Sequence, residues 1–172
     1  HDALFNIISV ALDGTKDTLA AGTVLFKGLS EDQAKIVAQK FGLDLQATKN
    51  LPTAKQHSVH LPRIAIYHTW FDTQDAGWSR YTFEQLGIPY TYINKDDLKI
   101  GALRKKFDVM LIPQTGGSAK DFINGIDSKF GPLPYAKTSE YPSHGFPDST
   151  NDITGGAGFE GMAALNSFVK DG

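Results

Sequence analysis

The chain has 172 residues, of which 41% are hydrophobic and 21% are charged, proportions that are typical of a globular domain and exclude a disordered chain. A formal net charge of -2 offers no general attraction for nucleic acid or an anionic membrane surface, and no apolar run approaches the ~20 residues that a transmembrane helix needs. The absence of cysteine excludes disulfide bonds, thiolate metal ligands and a cysteine nucleophile.

The N-terminal part of the chain reads as a mixture of helix and strand. Its first apolar residues recur with helical spacing, at Leu4, Ile7, Ile8 and Ala11. Residues 22–26 predict a short strand, and Ser30 followed three residues later by Gln33 predicts a capped helix that ends at Gly42. The alternation of apolar and polar residues over 43–48 predicts another strand.

Later in the chain, predicted strands alternate with predicted helices. The strands are expected at 64–67, 89–93 and 108–113. The helices are expected at 74–86 with Gly87 as the stop, from Asp96 and Asp97 onward, and at 159–170. In the second of these helices we expect Ile100, Leu103 and Phe107 to face the core.

Between the last strand and the last helix, residues 114–158 lose all periodicity and are rich in glycine, proline and serine. We call these residues the insert. The insert is much longer than the ~12–15 residues of a plain loop, which predicts a functional or mobile segment. Phe122 and Ile123 predict a short helix within it.

The alternation of predicted strands and helices along the chain predicts a three-layer α/β sandwich with a mostly parallel sheet of about five strands. We divide the chain into an α/β lead-in segment, 1–56, expected to pack on the same sheet, and a domain, 57–172. The sequence stops after a helix with no following strand, so we expect a domain truncated at its C-terminal edge and a longer parent protein. An unpaired edge could pair with another copy of the chain.

Polar and aromatic residues follow two of the predicted strands, at the sheet edge where ligands bind in open α/β folds. These ligand-edge candidates are His68, Trp70, Asp72, Thr115 and Ser118. Ser118 could act as a hydrolytic nucleophile only if His68 reached it as a base. A turn without a catalytic role is the interpretation that the sequence favours.

Two further patterns have a functional and a plain interpretation. His57 and His60, with His68 further on, could suggest zinc ligands, but they lie in a proline-flanked connector without a nearby carboxylate, which favours a solvated connector. The run 155–158 could hold a phosphate at a helix start, but it lacks the lysine of a P-loop. A close approach of the backbone to the sheet, where only glycine fits, is favoured.

The helix at 74–86 carries a second set of candidates. Trp78 and Tyr81 point away from the side that packs on the sheet, so another element covers them or they form a contact surface. Arg80 and Glu84 are spaced for an ion pair of ~0.2–0.5 kcal/mol. Because so weak a pair does not explain the arginine, we expect Arg80 to have a second partner, such as Asp72 or Asp75.

Several stretches carry a resemblance, in this order: PRIAIY at 62–67, DAGWSRY at 75–81, EQLGIPY at 84–90, GALR at 101–104, FDVMLIP at 107–113, GGAGFEGMAAL at 155–165 and FVKDG at 168–172. Together they resemble a region downstream of the peptidase domain in large bacterial zinc carboxypeptidase-like proteins. That region is itself similar to class I glutamine amidotransferases. The resemblance covers about residues 62–172 and implies a flavodoxin-like, amidotransferase-like fold.

The resemblance also implies a secreted or periplasmic parent peptidase, with zinc in its catalytic domain only and the rest of that chain as the partner. No catalytic or metal residue carries over, because the chain lacks both the amidotransferase cysteine and a His-x-x-Glu pair. Two functions stay open. One is a non-catalytic accessory or binding module of the carboxypeptidase. The other is an independent small-ligand-binding or hydrolase domain that uses the loops after strands 63–67 and 108–113.

Overall fold

The computed structural model describes residues 5–9, 23–48, 57–113 and 115–172. The chain divides into two compact units, His1–Ser58 and Val59–Gly172, close to the predicted boundary between residues 56 and 57. Among the helices of the described part, none combines the length and the apolar character of a membrane-spanning segment.

The first unit contains a three-stranded antiparallel sheet and one helix. Strand β1 (Phe5–Ser9) lies between β2 (Val24–Leu29) and β3 (Leu45–Thr48), and helix α1 (Glu31–Phe41) connects the two outer strands. The predicted strands at 22–26 and 43–48 are therefore present as strands. The part of this unit that the structure describes thus has its own hydrogen-bonded sheet.

The caps of α1 match the sequence-based prediction. The Ser30 hydroxyl accepts a hydrogen bond from the backbone N–H of Gln33 at 3.2 Å, and the Gln33 side chain accepts one from the backbone N–H of Ser30 at 2.9 Å. The helix ends at Gly42, which has a left-handed backbone with φ of 64°. A capping box and a left-handed glycine satisfy backbone groups at the two helix ends, so both boundaries are confirmed.

The prediction of a helix over residues 4–11 is wrong, because residues 5–9 form strand β1. Ile7 pairs with Phe26 on β2 and with Ala47 on β3, and the ends of the predicted helix lie outside the described residues. A short apolar run fits the helical and the extended period equally well. Two adjacent β-branched isoleucines favour the strand.

The pairing of β1 also explains why the described residues do not form one sheet of about five strands. That prediction assumed that the strands before residue 57 join the strands after it. They pair with β1 instead, so in the described residues the chain has two sheets of three strands. The physical reason is that β1 offers both of its edges to partners that are close in sequence.

The second unit contains a parallel sheet with the order β5-β4-β6. Its central strand is β4 (Ile64–Tyr67), flanked by β5 (Thr91–Ile93) and β6 (Val109–Leu111). The three strands lie where the sequence predicts them, and Ile66 of β4 is fully buried. A mixed α/β architecture with a parallel sheet is therefore confirmed for this unit.

Helices fill the connections of the second unit. They are α2 (Gln74–Leu86), α3 (Lys95–Ile100), α4 (Leu103–Lys106), α5 (Ala119–Asn124), a 3₁₀ turn (Ser128–Phe130) and α6 (Gly158–Lys170). Helix α2 has its predicted bounds and ends at Gly87, which has φ of 66°. Helix α5 contains the short helix predicted around Phe122, and α6 confirms the last predicted helix.

A single apolar cluster fills the space between the sheet and the helices α3, α4 and α6. Its buried members are Ala65, Tyr67, Ile93, Leu98, Leu103, Phe107 and Ala157. Two of the three residues predicted to face inward are among them, but Ile100 is 70% exposed and that prediction is wrong. Gly101, with φ of 74°, breaks the predicted helix into α3 and α4, and Leu98 takes the core position in α3.

Replacing Leu98 by alanine should lower the free energy of unfolding by about 2–5 kcal/mol, because its side chain is fully buried and its removal leaves a cavity. The matched control is Ile100→Ala in the same helix, which should change stability by less than about 0.5 kcal/mol because that side chain is exposed. Chemical denaturation of the two variants measures both values. Equal losses would contradict this description of the core.

Candidate functional site

The candidate site lies at the carboxyl end of β4, where the chain passes from Tyr67 to His68. The His68 side chain is 2% exposed, and its backbone N–H donates to the Ile93 carbonyl at 3.0 Å, which continues the pairing of β4 with β5. Its ring stacks on Tyr92 with centroids 4.2 Å apart and planes 5° apart. The Trp70 ring meets it edge-on at 4.7 Å. These contacts fix the imidazole on two sides.

The third contact of His68 comes from the insert. His68 Nε2 lies 2.8 Å from Asp148 Oδ2, and the same oxygen accepts a hydrogen bond from Asn94 Nδ2 at 2.7 Å. Asn94 is buried, and its Oδ1 accepts from the backbone N–H of Asp96 at 2.8 Å. That bond fixes which side of the Asn94 amide faces Asp148. Since a carboxylate can only accept, His68 must donate from Nε2.

The surroundings of Asp148 act on its acidity in opposite directions. Burial raises the pKa of the Asp148 carboxyl, but hydrogen bonds from His68, Asn94 and the Ser149 backbone outweigh burial and bring the pKa below its usual value. Burial also raises the pKa of the neighbouring Tyr92 to about 12. The site therefore holds an ionised carboxylate beside a neutral phenol at neutral pH.

Aromatic contacts continue from the sheet edge into the insert. Trp70 contacts Tyr135 at 5.5 Å, Tyr135 stacks on His144 at 4.7 Å, and His144 stacks on Tyr141 at 4.9 Å. Aromatic pairs at these distances contribute about 0.5–1.5 kcal/mol beyond their buried area. Together with the Asp148 contact, this row of rings attaches the insert to the end of β4.

A small cavity of about 10 Å³ lies beside the site, with room for about one water molecule. Tyr67, Thr69, Trp70, Lys95 and Gly156 contribute to its wall. The indole Nε1 of Trp70 is buried and has no hydrogen-bond partner among the described residues. The Lys95 side chain is 8% exposed, with Nζ 2.8 Å from Asp96. Two residues of the cavity wall therefore have buried polar groups: Trp70 has a donor without a partner among the described residues, and Lys95 has a cation paired with a carboxylate.

The other ligand-edge candidates are distributed around this site. Asp72 lies against the loop that follows β6, where a Cβ on Gly116 would collide with its carboxylate. Thr115 is half-buried in the same loop. The Ser118 hydroxyl donates to Asp121 at 2.7 Å and caps α5. Within the described residues no hydrogen bond joins Ser118 to a histidine, so the pair required for a serine nucleophile is not formed.

The two remaining sequence patterns lie in different parts of the chain. His57 and His60 are exposed, and among the described residues no three His, Asp or Glu side chains are grouped as metal ligands. A Cβ on Gly156 would lie 2.6 Å from backbone atoms of Phe122, Ile123 and Gly125. Glycine is therefore required there by a close backbone approach, as favoured from the sequence, although the neighbour is the end of α5 and not the sheet.

Arg80 has the predicted ion pair with Glu84, at 3.1 Å. Its second partner is Tyr90, whose hydroxyl lies 3.2 Å from Arg80 Nε, and not Asp72 or Asp75. The guanidinium also lies over the rings of Tyr92 and Phe146, at 5.1 and 5.6 Å from their centroids. Arg80 therefore joins α2 to β5 and to the insert.

Trp78 and Tyr81 lie on the outer face of α2, exposed by 62% and 55%. Their rings contact each other edge-on at 6.0 Å. No described residue buries them, so the covering element that the sequence suggested is not found in the part of the chain that the structure describes. The contact-surface interpretation stays open for both residues.

Asn94 and Asp148 are the functional candidates that the sequence analysis missed. Asn94 directly follows the predicted strand that ends at Ile93, so the rule that selected His68 at the end of β4 also points to Asn94. Asp148 carries no such signal, because it lies 80 residues from His68 in a segment without periodicity.

Comparison with protein-family models, curated proteins and solved structures finds no match for this chain. The interpretation of the site therefore depends on its residues and their geometry.

Replacing Asp148 by asparagine should lower the free energy of unfolding by about 1–3 kcal/mol at pH 7, because hydrogen bonds to a charged group are lost. A carboxyl with a depressed folded pKa stabilises the protein above its unfolded pKa of about 3.9, and this stabilisation disappears as pH falls through the folded value. The difference between wild type and variant should therefore shrink between pH 7 and pH 3, measured by chemical denaturation.

The control for this pH series is Glu140→Gln, which changes an exposed carboxylate of the same insert. The free energy of unfolding of this variant should equal that of the wild type at pH 7 and at pH 3. A loss for Asp148→Asn that has the same size at pH 7 and at pH 3 would contradict a role for the ionised carboxylate.

Proposed function

We propose that residues 57–172 form a non-catalytic accessory or binding module of a secreted or periplasmic bacterial protein that resembles zinc carboxypeptidases. The proposal includes a flavodoxin-like, amidotransferase-like fold. It is supported by the ordered resemblance over about residues 62–172 and by a parallel sheet with helices in the same region. The zinc of the parent peptidase belongs to a domain outside this chain.

One observation supports the non-catalytic part of the proposal: Ser118 and His68, the nucleophile and base that the sequence suggested, do not contact each other. His68 is buried against Asp148, and the Ser118 hydroxyl is bound to Asp121. The Ser–His pair expected of a serine nucleophile is not formed, because among the described residues no hydrogen bond joins Ser118 to a histidine.

The partner surface that we propose is the outer face of α2. Exposed tryptophan and tyrosine side chains often dominate the binding energy of protein interfaces. Trp78 and Tyr81 lie side by side on this face, and Arg80 between them in sequence is held by Glu84 and Tyr90. We propose that this surface contacts the peptidase domain of the parent chain.

Assays of the chain with peptide and ester substrates should give rates equal to the buffer blank, with and without added zinc. The physical reason is that no hydrogen bond joins Ser118, the suggested nucleophile, to His68, the suggested base. If hydrolysis above the blank is observed and is lost in His68→Ala, the module is an enzyme and the non-catalytic proposal is wrong.

The double variant Trp78→Ala/Tyr81→Ala should weaken binding of the chain to the parent peptidase domain at least about tenfold, because each ring is of the kind that forms interface hot spots. Its melting temperature should stay unchanged, since both side chains are exposed. Val169→Ala, at an exposed apolar residue of α6, is the matched control and should bind like the wild type. Titration calorimetry measures the affinities, and equal affinities would contradict this surface.

A further inference from the structure

Two buried donors converge on one oxygen atom at the carboxyl edge of the parallel sheet. His68 and Asn94 follow the neighbouring strands β4 and β5, and they are 2% and 5% exposed. Both reach Asp148 Oδ2, at 2.8 and 2.7 Å. This edge is where open α/β sheets bind their ligands. The group that lies there is a carboxylate supplied by the chain itself.

The two donors are held in place without help from Asp148. His68 is fixed by its stack on Tyr92 and by the edge of Trp70. Asn94 is fixed by its bond to the backbone of Asp96. Without a carboxylate, both donors would be buried and unpaired, which is unfavourable for each of them. The pair is therefore preorganised for an anionic acceptor with the size of a carboxylate oxygen.

Asp148 is more exposed than its two donors. Its side chain is 21% exposed, whereas His68 and Asn94 are 2% and 5% exposed. Its neighbours Phe146 and Ser149 are exposed, and none of the three belongs to the buried core cluster. Displacement of Asp148 would therefore remove no member of the apolar cluster between the sheet and its helices.

We propose that His68 and Asn94 form a binding subsite for the carboxylate of a small ligand, and that Asp148 fills this subsite from within the chain. A ligand carboxylate competes with Asp148 for the same two donors. Trp70 lies edge-on to His68 and its buried Nε1 has no hydrogen-bond partner among the described residues, which favours a small ligand that carries a second acceptor. The subsite goes beyond the accessory role proposed above and does not depend on it.

The test uses the whole chain with Asp148→Ala and acetate as the probe. Acetate should raise the melting temperature of this variant in a saturable way, by about 3–6 °C when its concentration is ten times the dissociation constant. Acetamide at the same concentration, and sodium chloride at the same ionic strength, should not do so. In the wild type the acetate effect should be much smaller because Asp148 already occupies the subsite.

Two control variants separate the subsite from a general salt effect. Glu140→Ala removes an exposed carboxylate from the insert and should respond to acetate like the wild type. Asp148→Ala/Asn94→Leu removes one of the two donors and should lose the acetate response. An acetate response that is absent from Asp148→Ala, or equal in all variants, would show that Asp148 is only a structural contact and would overturn the proposal.

A second measurement applies if Asp148→Ala does not fold. Acetate added to the wild type should shift the NMR signals of the His68 ring nitrogens until they saturate. The signals of His144, which stacks between Tyr135 and Tyr141 in the insert, should not follow that curve. The absence of a saturable shift at His68 would overturn the proposal, as would the absence of an acetate response in Asp148→Ala.

Discussion

The contact of the Asp148 carboxylate with His68 and Asn94 is the interaction on which the described site depends. It joins residues that are 80 and 54 positions apart and connects the insert to the ends of two neighbouring strands. A partly buried carboxylate is stable only when donors replace the water that it has lost. Here two buried side chains and one backbone N–H supply them, and the pKa of Asp148 is lowered as a result.

The same contact determines which side chains are joined at the carboxyl edge of the parallel sheet. His68 Nε2 donates to Asp148, its Nδ1 lies 3.3 Å from the backbone carbonyl of Thr69, and the Ser118 hydroxyl binds Asp121, so no hydrogen bond joins His68 to Ser118. Because Asp148 comes from the insert, the loop after β4 and the insert form one surface, which the rings from Trp70 to Tyr141 extend. The carboxyl edge of the sheet is therefore occupied by a carboxylate that comes from the insert.

Local patterns were enough to predict most of the second unit. Alternating strands and helices, Gly87 as a stop and the buried run of β4 are all set by neighbouring residues, and they were correct. Errors arose where the outcome depends on distant partners. Strand β1 exists because both of its edges pair with other strands, and Asp148 meets His68 only through the path of the insert. The shift of the inward position from Ile100 to Leu98 has a local cause instead, because Gly101 ends α3 directly after Ile100.

Amide hydrogen exchange in wild type and His68→Leu tests the central claim, that this contact holds the insert on the sheet edge. The informative amides are those of Thr150 and Ile153, which donate to Tyr135 and Leu133 within the insert. We expect both to exchange at least about tenfold faster in the variant, a change of about 1.4 kcal/mol in opening free energy, while the amides of α6 keep their rates. Unchanged exchange at Thr150 and Ile153 in a folded variant would contradict the claim.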